Sequence, residues 1–555
     1  MTRSARWAVV LLVLGILYVP FLGQAFHIDD RIYLQIADNI LEKPLFPYDY
    51  PAVFEGISAP DAASHSHLPL TSYYLAAVHW IGGGDIEWLD HLAFLVFPLL
   101  AAFATYDLAR HFVERRLAAA LLVLVSPAFL VLGHTLMPDV PMLAFWTLAM
   151  SRFLNVLSGE GRRSDWAVMV LSLLAASFMS LLSVGLVLLM VAGLALKRLQ
   201  GEAVPRGRWW LILATPLLLW GLWYLRAYWH YDRFVLVNTV LHMNKRDAFD
   251  WALFGIKGLS FVLNLGAVFL CPLVLWYGFC GTFRTRVGLL IFFLSFVPFF
   301  TFVTGWHWIH VLLFAIFFSS GLLVFWEFVL LARERDPATR ILLLWFFGIL
   351  ATALLLFYAG SARYVLLALP PVVVVWVRRL ERRVSDPYFL RNLVWAGVVL
   401  TGLYALLPAI ADYRYASMYR ETTRALIQKY ERSDRRVWFT GEWGFRYYAT
   451  QSGAHLLRRV ETGPRQGDII LKPYIASPWV TLFDGDQGCR LLEQKIVEEP
   501  FPIRMLDYSA HAGFYSTGWG ILPISWSTGE NWEWFNVFEV KHAYDGPPPK
   551  PESLW

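Results

Sequence analysis

The chain has 555 residues, of which 57% are hydrophobic and 16% are charged. A soluble domain carries roughly 25% charged residues, so this composition excludes a protein surrounded by water and makes the bilayer part of its solvent. A formal net charge of +5 over this length leaves no electrostatic footprint for a nucleic-acid partner.

Roughly 20 apolar residues cross one hydrocarbon core. Runs of about that kind occur at 7–26, 89–110, 117–134, 139–157, 166–181, 184–197, 209–227, 258–280, 286–304, 308–331, 340–359, 362–378 and 391–411. They are continuous rather than alternating, which argues for helices over a barrel. The first run follows Arg3 and Arg6 and lacks a small-residue cleavage site, so a retained helix is expected rather than a secretory leader. Basic residues fill every second spacer: Arg110/Arg115/Arg116, Arg162/Arg163, Lys197/Arg198/Arg206/Arg208, Arg284/Arg286, Arg333/Arg335/Arg340 and Arg378/Arg379/Arg382/Arg383. The alternate spacers at His134–Pro138, Leu182–Ser183 and Gly305–His307 carry no Lys or Arg. This is the positive-inside pattern, and it predicts a cytoplasmic N-terminus in a multi-pass plasma (bacterial inner) membrane protein.

Two segments need separate argument. Leu70–Gly84 is apolar but short, ends in three glycines, and would invert the charge alternation if it crossed. It is expected as a helix lying in the outer interface. Trp166–Leu196 as one helix would be roughly 46 Å long, too long for one crossing, and a turn near Ser183 restores the alternation. About thirteen spans result. They predict a membrane domain at 1–411, with an outer loop at 27–88 carrying interfacial helices. Residues 412–555 then form an exported soluble α/β domain. Arg436–Thr440 and Asp468–Lys472 read as strands, with a helix over Glu442–Ser452. Cys271, Cys280 and Cys489 show neither a disulfide framework nor zinc spacing.

Ionisable residues are nearly absent from the middle of the runs, which counts against an ion-coupled transporter. On the outer side they gather. Asp29 and Asp30 follow the first run directly; they either stay wet at a loop start or serve as a general base or cation ligand. His65 and His67 can share one face of an extended segment and bind a metal, or meet an anionic phosphate. Asp139 stands between Pro138 and Pro141 ahead of a helix, where capping is the simplest role. Lys245 and Arg246 in the loop 230–257 offer cations for a phosphate. Arg363-Tyr364 opens the twelfth run, where Arg363 either snorkels or binds lipid phosphate.

Taken together, these residues resemble the GT-C class of polytopic glycosyltransferases, and within it the bacterial relatives of the protein O-mannosyltransferases and the lipid A aminoarabinose transferase. The resemblance rests on four motifs in order. They are Asp29-Asp30, His67-Leu68-Pro69-Leu70, Met137-Pro138-Asp139-Val140-Pro141, and Arg363-Tyr364 with Leu369-Pro370-Pro371. The second motif departs from the family, with Leu68 where a proline is usual. The tail segment Phe439–Phe445 also looks like the tails of bacterial members.

The resemblance implies a polyprenyl-phosphate sugar donor used on the outer face, with a lipid, glycan or protein acceptor. It implies inverting transfer to a hydroxyl activated by a carboxylate. Asp29 is the expected base, with Asp139 assisting and Asp30 the third carboxylate of the site. His67, Lys245, Arg246, Arg363 and Tyr364 are the expected phosphate contacts. The resemblance leaves the need for a divalent cation open; if present, the cation would be held by Asp29, Asp139 and His65. The competing reading from another class is a non-catalytic lipid or glycolipid transporter with an exported recognition domain; its marks, paired halves or broken mid-membrane helices, are not seen in the sequence.

Overall fold

The computed structural model describes residues 2–54, 57–63, 68–201, 204, 209–236, 251–270, 274–275, 278, 281–334, 336–357, 359–432, 434–458, 463–476, 488–529 and 531–541. Most of them are helical, and a β-containing region closes the chain. Among the described residues, nine helices are long and apolar enough to cross a membrane, which makes this a multi-pass membrane protein.

Three of the other expected runs are shorter or interrupted, each for a local reason. The run 117–134 is two helices, Arg116–Leu124 and Pro127–Leu132. Pro127 brings no N–H to the ladder. The Leu124 carbonyl near the break instead accepts from the Tyr18 hydroxyl at 2.9 Å, as a dry environment demands. The stretch 166–197 divides into Arg163–Met179 and Val184–Leu199. At the turn between them the Ser180 side chain accepts from the Leu182 amide, and Ser183 Oγ donates to the Ser180 carbonyl at 2.6 Å. The run 209–227 lies within the single helix Trp209–Tyr231, which contains Pro216. The run 362–378 opens as the short helix Ala362–Leu366 and resumes at Leu369–Arg383.

Helix contact is close where small residues permit it. A Cβ on Gly266 would stand 1.8 Å from the Phe317 carbonyl oxygen, and one on Gly321 would stand 2.1 Å from that of Val262. These two positions let the backbones of Trp251–Val268 and Trp308–Leu331 meet. In the segment between the first two spans, Leu70–Gly82 is a helix ended by Gly83 at φ +81°. It packs on the helix Asp30–Glu42. Its buried His79 lies between Asp38 at 3.2 Å and Asp90 at 3.3 Å.

The expected boundary at 411/412 falls inside a helix. Pro387–Tyr430 is continuous over 44 residues, roughly 66 Å. Hydropathy falls after Ile410, but Tyr415, Met418, Tyr419, Leu426 and Ile427 are all buried, a helical stripe that holds the element together beyond the apolar run. The tail then forms a five-stranded sheet in the order His455–Leu456, Val437–Phe439, Ile469–Pro473, Asn531–Val540, Cys489–Glu498. The first three strands are parallel and the last two pairings antiparallel. The helix Trp443–Gln451 separates two of the parallel strands, as an α/β unit requires.

This helix docks the tail on the end of the first span. A Cβ on Gly444 would lie 2.3 Å from the Phe26 carbonyl oxygen, so only glycine fits. The Tyr448 hydroxyl accepts from the Phe26 amide at 2.8 Å. Glu442 meets Arg31 at 3.1 Å and Arg446 at 3.1 Å.

Candidate active site

The helix Asp30–Glu42 starts just beyond Asp29, whose side chain makes no cap hydrogen bond. The helix Asp139–Leu157 is preceded by Pro138 in the cap position, so Asp139 does not cap it. Both carboxylates turn instead to Arg363, which enters from the short helix Ala362–Leu366. Arg363 Nη1 donates to Asp29 Oδ2 at 3.0 Å. Its Nε lies 3.3 and 3.2 Å from the two Asp139 oxygens, and Nη2 lies 3.1 Å from Asp139 Oδ2. Three residues far apart in the chain thus form one ion cluster.

The cluster is unevenly exposed. The Asp29 side chain keeps 31% of its accessible surface, against 14% for Asp139 and 15% for Arg363. Asp139 spends both oxygens on the guanidinium. Asp29 spends one, and among the described residues its other oxygen has no hydrogen-bond donor. A guanidinium has five N–H groups, and two of those of Arg363 are not used by these carboxylates. Two of the expected cation ligands, Asp29 and Asp139, both bond the Arg363 guanidinium, and the third, His65, lies outside the described residues. Among the described residues, no three His, Cys, Asp or Glu side chains converge on a metal site.

Beside the cluster opens a narrow cleft. Asp139, Arg363 and Pro138 form one wall. Ser180 and Leu182, at the break between two helices, form another, and Met142, Ile349, Ala353 and Leu367 complete an apolar lining. Tyr364 also lines it, stacked on Phe357 with ring centroids 3.7 Å apart. Its lining thus joins the Asp139–Arg363 pair to apolar side chains.

Asp30 is set apart from the cluster. It is fully buried, and its carboxyl accepts from the His27 amide at 2.9 Å and the Leu136 amide at 2.8 Å. It ties the residues that follow the first span to the turn ahead of the helix Asp139–Leu157. Burial pushes its pKa up to about 8, against the pull of the two amides and with Asp29 adding to the rise. Between about pH 4 and pH 8 the folded state therefore holds a proton that the unfolded chain has released. Stability falls as pH rises through that window, by up to about 1.4 kcal/mol per unit. The melting temperature of the detergent-solubilised protein is expected to drop between pH 6 and pH 9, and Asp30→Asn is expected to flatten that slope. Equal slopes in both proteins would mean that Asp30 is ionised in the fold.

His65, His67, Lys245 and Arg246 lie outside the described residues. Three groups near the site were not foreseen. Tyr33, one turn along the helix from Asp30, is buried and faces the charges of Arg363, Asp29 and Asp139. Lys257, 1% exposed, donates to the Phe357 carbonyl at 2.9 Å behind the cleft wall. Asp412 lies within the last helix and accepts from Gln24 at 3.2 Å and from the Tyr515 hydroxyl at 3.0 Å.

Comparison with known proteins accords with this geometry. Residues 64–224 match the model of the dolichyl-phosphate-mannose-protein mannosyltransferase family. The structure of ArnT from Cupriavidus metallidurans bound to undecaprenyl phosphate is similar at 11% identity and a TM-score of 0.51, over 86% of this chain and 95% of that one. The chain has the GT-C glycosyltransferase fold. The archaeal oligosaccharyltransferase AglB from Archaeoglobus fulgidus, in complex with an inhibitory peptide and a dolichol-phosphate, also matches, at 12% identity and a TM-score of 0.45. That match covers 81% of this GT-C chain but only 64% of the archaeal one. No curated protein matches.

Proposed function

We propose that the chain transfers a sugar from a polyprenyl-phosphate donor to a hydroxyl of a lipid, glycan or protein acceptor on the outer face of the membrane, with inversion. The observation that carries this reading is the Asp29–Arg363–Asp139 cluster at the mouth of an apolar cleft. The family match over 64–224 favours transfer over transport, and the donor class follows what ArnT was solved with.

In the proposed reaction the acceptor oxygen attacks the anomeric carbon and passes its proton to the unused oxygen of Asp29. The bond between that carbon and the phosphate oxygen breaks, and polyprenyl phosphate leaves with the electron pair. Arg363 holds Asp29 in orientation, and its two remaining N–H groups meet the charge growing on the phosphate. Asp139 fixes the guanidinium from the other side. Tyr364 and Phe357 border the path of the lipid.

The test uses spheroplast membranes with known sidedness and a panel of polyprenyl-phosphate sugars supplied from outside. Sugar transfer from at least one donor, together with labelling of the half-buried Cys489 by a membrane-impermeant thiol reagent, is the expected result. Labelling only after the membrane is opened would put the tail inside. Transfer from none of the donors would sink the reading.

A further inference from the structure

The tail reaches back into the membrane part at one loop, and that loop touches both halves of the ion cluster's support. On one side it meets the segment that ends in Arg363. The Ala362 amide donates to the Phe514 carbonyl at 2.8 Å, and the Ser361 hydroxyl, which also caps the helix carrying Arg363, donates to the same carbonyl at 3.2 Å. The Thr517 amide donates to the Gly360 carbonyl at 2.9 Å. The Gly360 amide donates to Thr517 Oγ1 at 3.0 Å. Four hydrogen bonds therefore fix residues 360–362 to a single stretch of the tail.

On the other side the same loop supports the turn that carries Asp29. The Tyr515 hydroxyl donates to Asp412 Oδ1 at 3.0 Å. That oxygen lies 3.6 Å from His27 Nε2, and the Tyr515 ring meets the His27 ring edge-on with centroids 5.8 Å apart. His27 is fully buried, and burial pushes its imidazole down to about 3, so it stays neutral. The next residue, Ile28, sits at φ +47°, a costly conformation for a β-branched residue that persists only when its surroundings enforce it. Asp29 follows directly.

We infer that the loop Phe514–Thr517 is the positioning element of the active site, holding the Asp29 turn through Tyr515, Asp412 and His27, and the Arg363 helix through Gly360–Ala362. This rests on the reaction proposed above for Asp29 and Arg363. No residue of the loop needs to touch the sugar. Its work is to set the distance and angle between a carboxylate and a guanidinium that belong to different ends of the chain, where a misplacement of 1 Å can lower turnover 10²-fold.

Full-length Thr517→Val, Thr517→Ser and Tyr515→Phe proteins test this. Thr517→Val keeps the shape and removes the hydroxyl; Thr517→Ser restores it. The first readout is amide hydrogen exchange in peptides covering 24–31 and 359–366, which does not depend on which reaction is catalysed. Faster exchange over 359–366 is expected in Thr517→Val and over 24–31 in Tyr515→Phe, with recovery in Thr517→Ser. The second readout is transfer from the donor found active above. Both non-rescued variants are expected to lose roughly 10-fold or more in kcat with little change in donor KM, and Thr517→Ser to recover. Unchanged exchange in both segments would overturn the inference even if sugar transfer is established. Altered exchange with wild-type kcat would overturn it too. A chain that binds undecaprenyl phosphate and shows the exchange changes, but transfers no sugar, would leave the loop in its role and refute the reaction.

Discussion

Asp29→Asn is expected to insert and fold normally, to bind the lipid donor, and to lose at least about 10²-fold in turnover. Sugar hydroxyls are weak acids, and a positioned base typically contributes about 10²–10⁴ in rate. The substitution keeps the size of the side chain and an oxygen that can accept from Arg363, now 3.0 Å from Asp29 Oδ2. It removes the basic oxygen on the exposed side. The cost to folding is small because Asp29 does not cap its helix. The measurement is kcat in a transfer assay beside undecaprenyl phosphate binding. A well-folded Asp29→Asn protein with wild-type turnover would move the base to Asp139 or to another group.

Arg363→Ala is expected to be the more damaging change. It leaves two carboxylates facing one place without the cation between them. Removing one partner of a buried ion pair typically costs about 3–5 kcal/mol, and these side chains are only partly buried, so the lower end applies. Activity should fall at least about 10²-fold, with weaker undecaprenyl phosphate binding as a second loss. Arg363→Lys keeps the charge but has no planar fork with which to span Asp29 and Asp139 together, so an intermediate loss is expected. Equal affinity for undecaprenyl phosphate in wild type, Arg363→Lys and Arg363→Ala would remove Arg363 from the phosphate site and leave it as a holder of carboxylates.

Much of this was readable in the sequence. Asp29 and Asp139 stand out because carboxylates are costly beside apolar runs, and Arg363 because it opens a late one. That the three meet could not be read from local pattern, since 334 positions separate Asp29 from Arg363. The residues by themselves do not separate Asp29 from Asp30; the expectation that Asp29 is the base came from the family resemblance. Adjacent residues at a helix start point in different directions, and only the fold puts one on Arg363 and the other on two buried amides. The expected boundary at 411/412 falls inside a helix because hydropathy marks where the apolar run ends, while the last helix continues for another twenty residues to Tyr430. Lys257 looked like the end of a loop because a charge usually ends a span; here it is buried behind a helix-end carbonyl. Tyr515 carried no signal at all, for its meaning comes from Asp412 and His27.

The place of the loop Phe514–Thr517 bears on how the protein is made. Synthesis runs from the N-terminus, so Asp29 and Asp139 enter the membrane while most of the chain is still on the ribosome. Contacts between remote segments form last in folding because their loop-closure entropy must be met first. Here the segment that braces Arg363 and the Asp29 turn is translated after both of them. A chain cut between Arg363 and Phe514 therefore holds Asp29, Asp139 and Arg363 and yet lacks the contacts that set their mutual geometry. On the proposed reaction such a chain would sit in the membrane without consuming lipid-linked sugar, so the fold itself delays activity until this loop has been made.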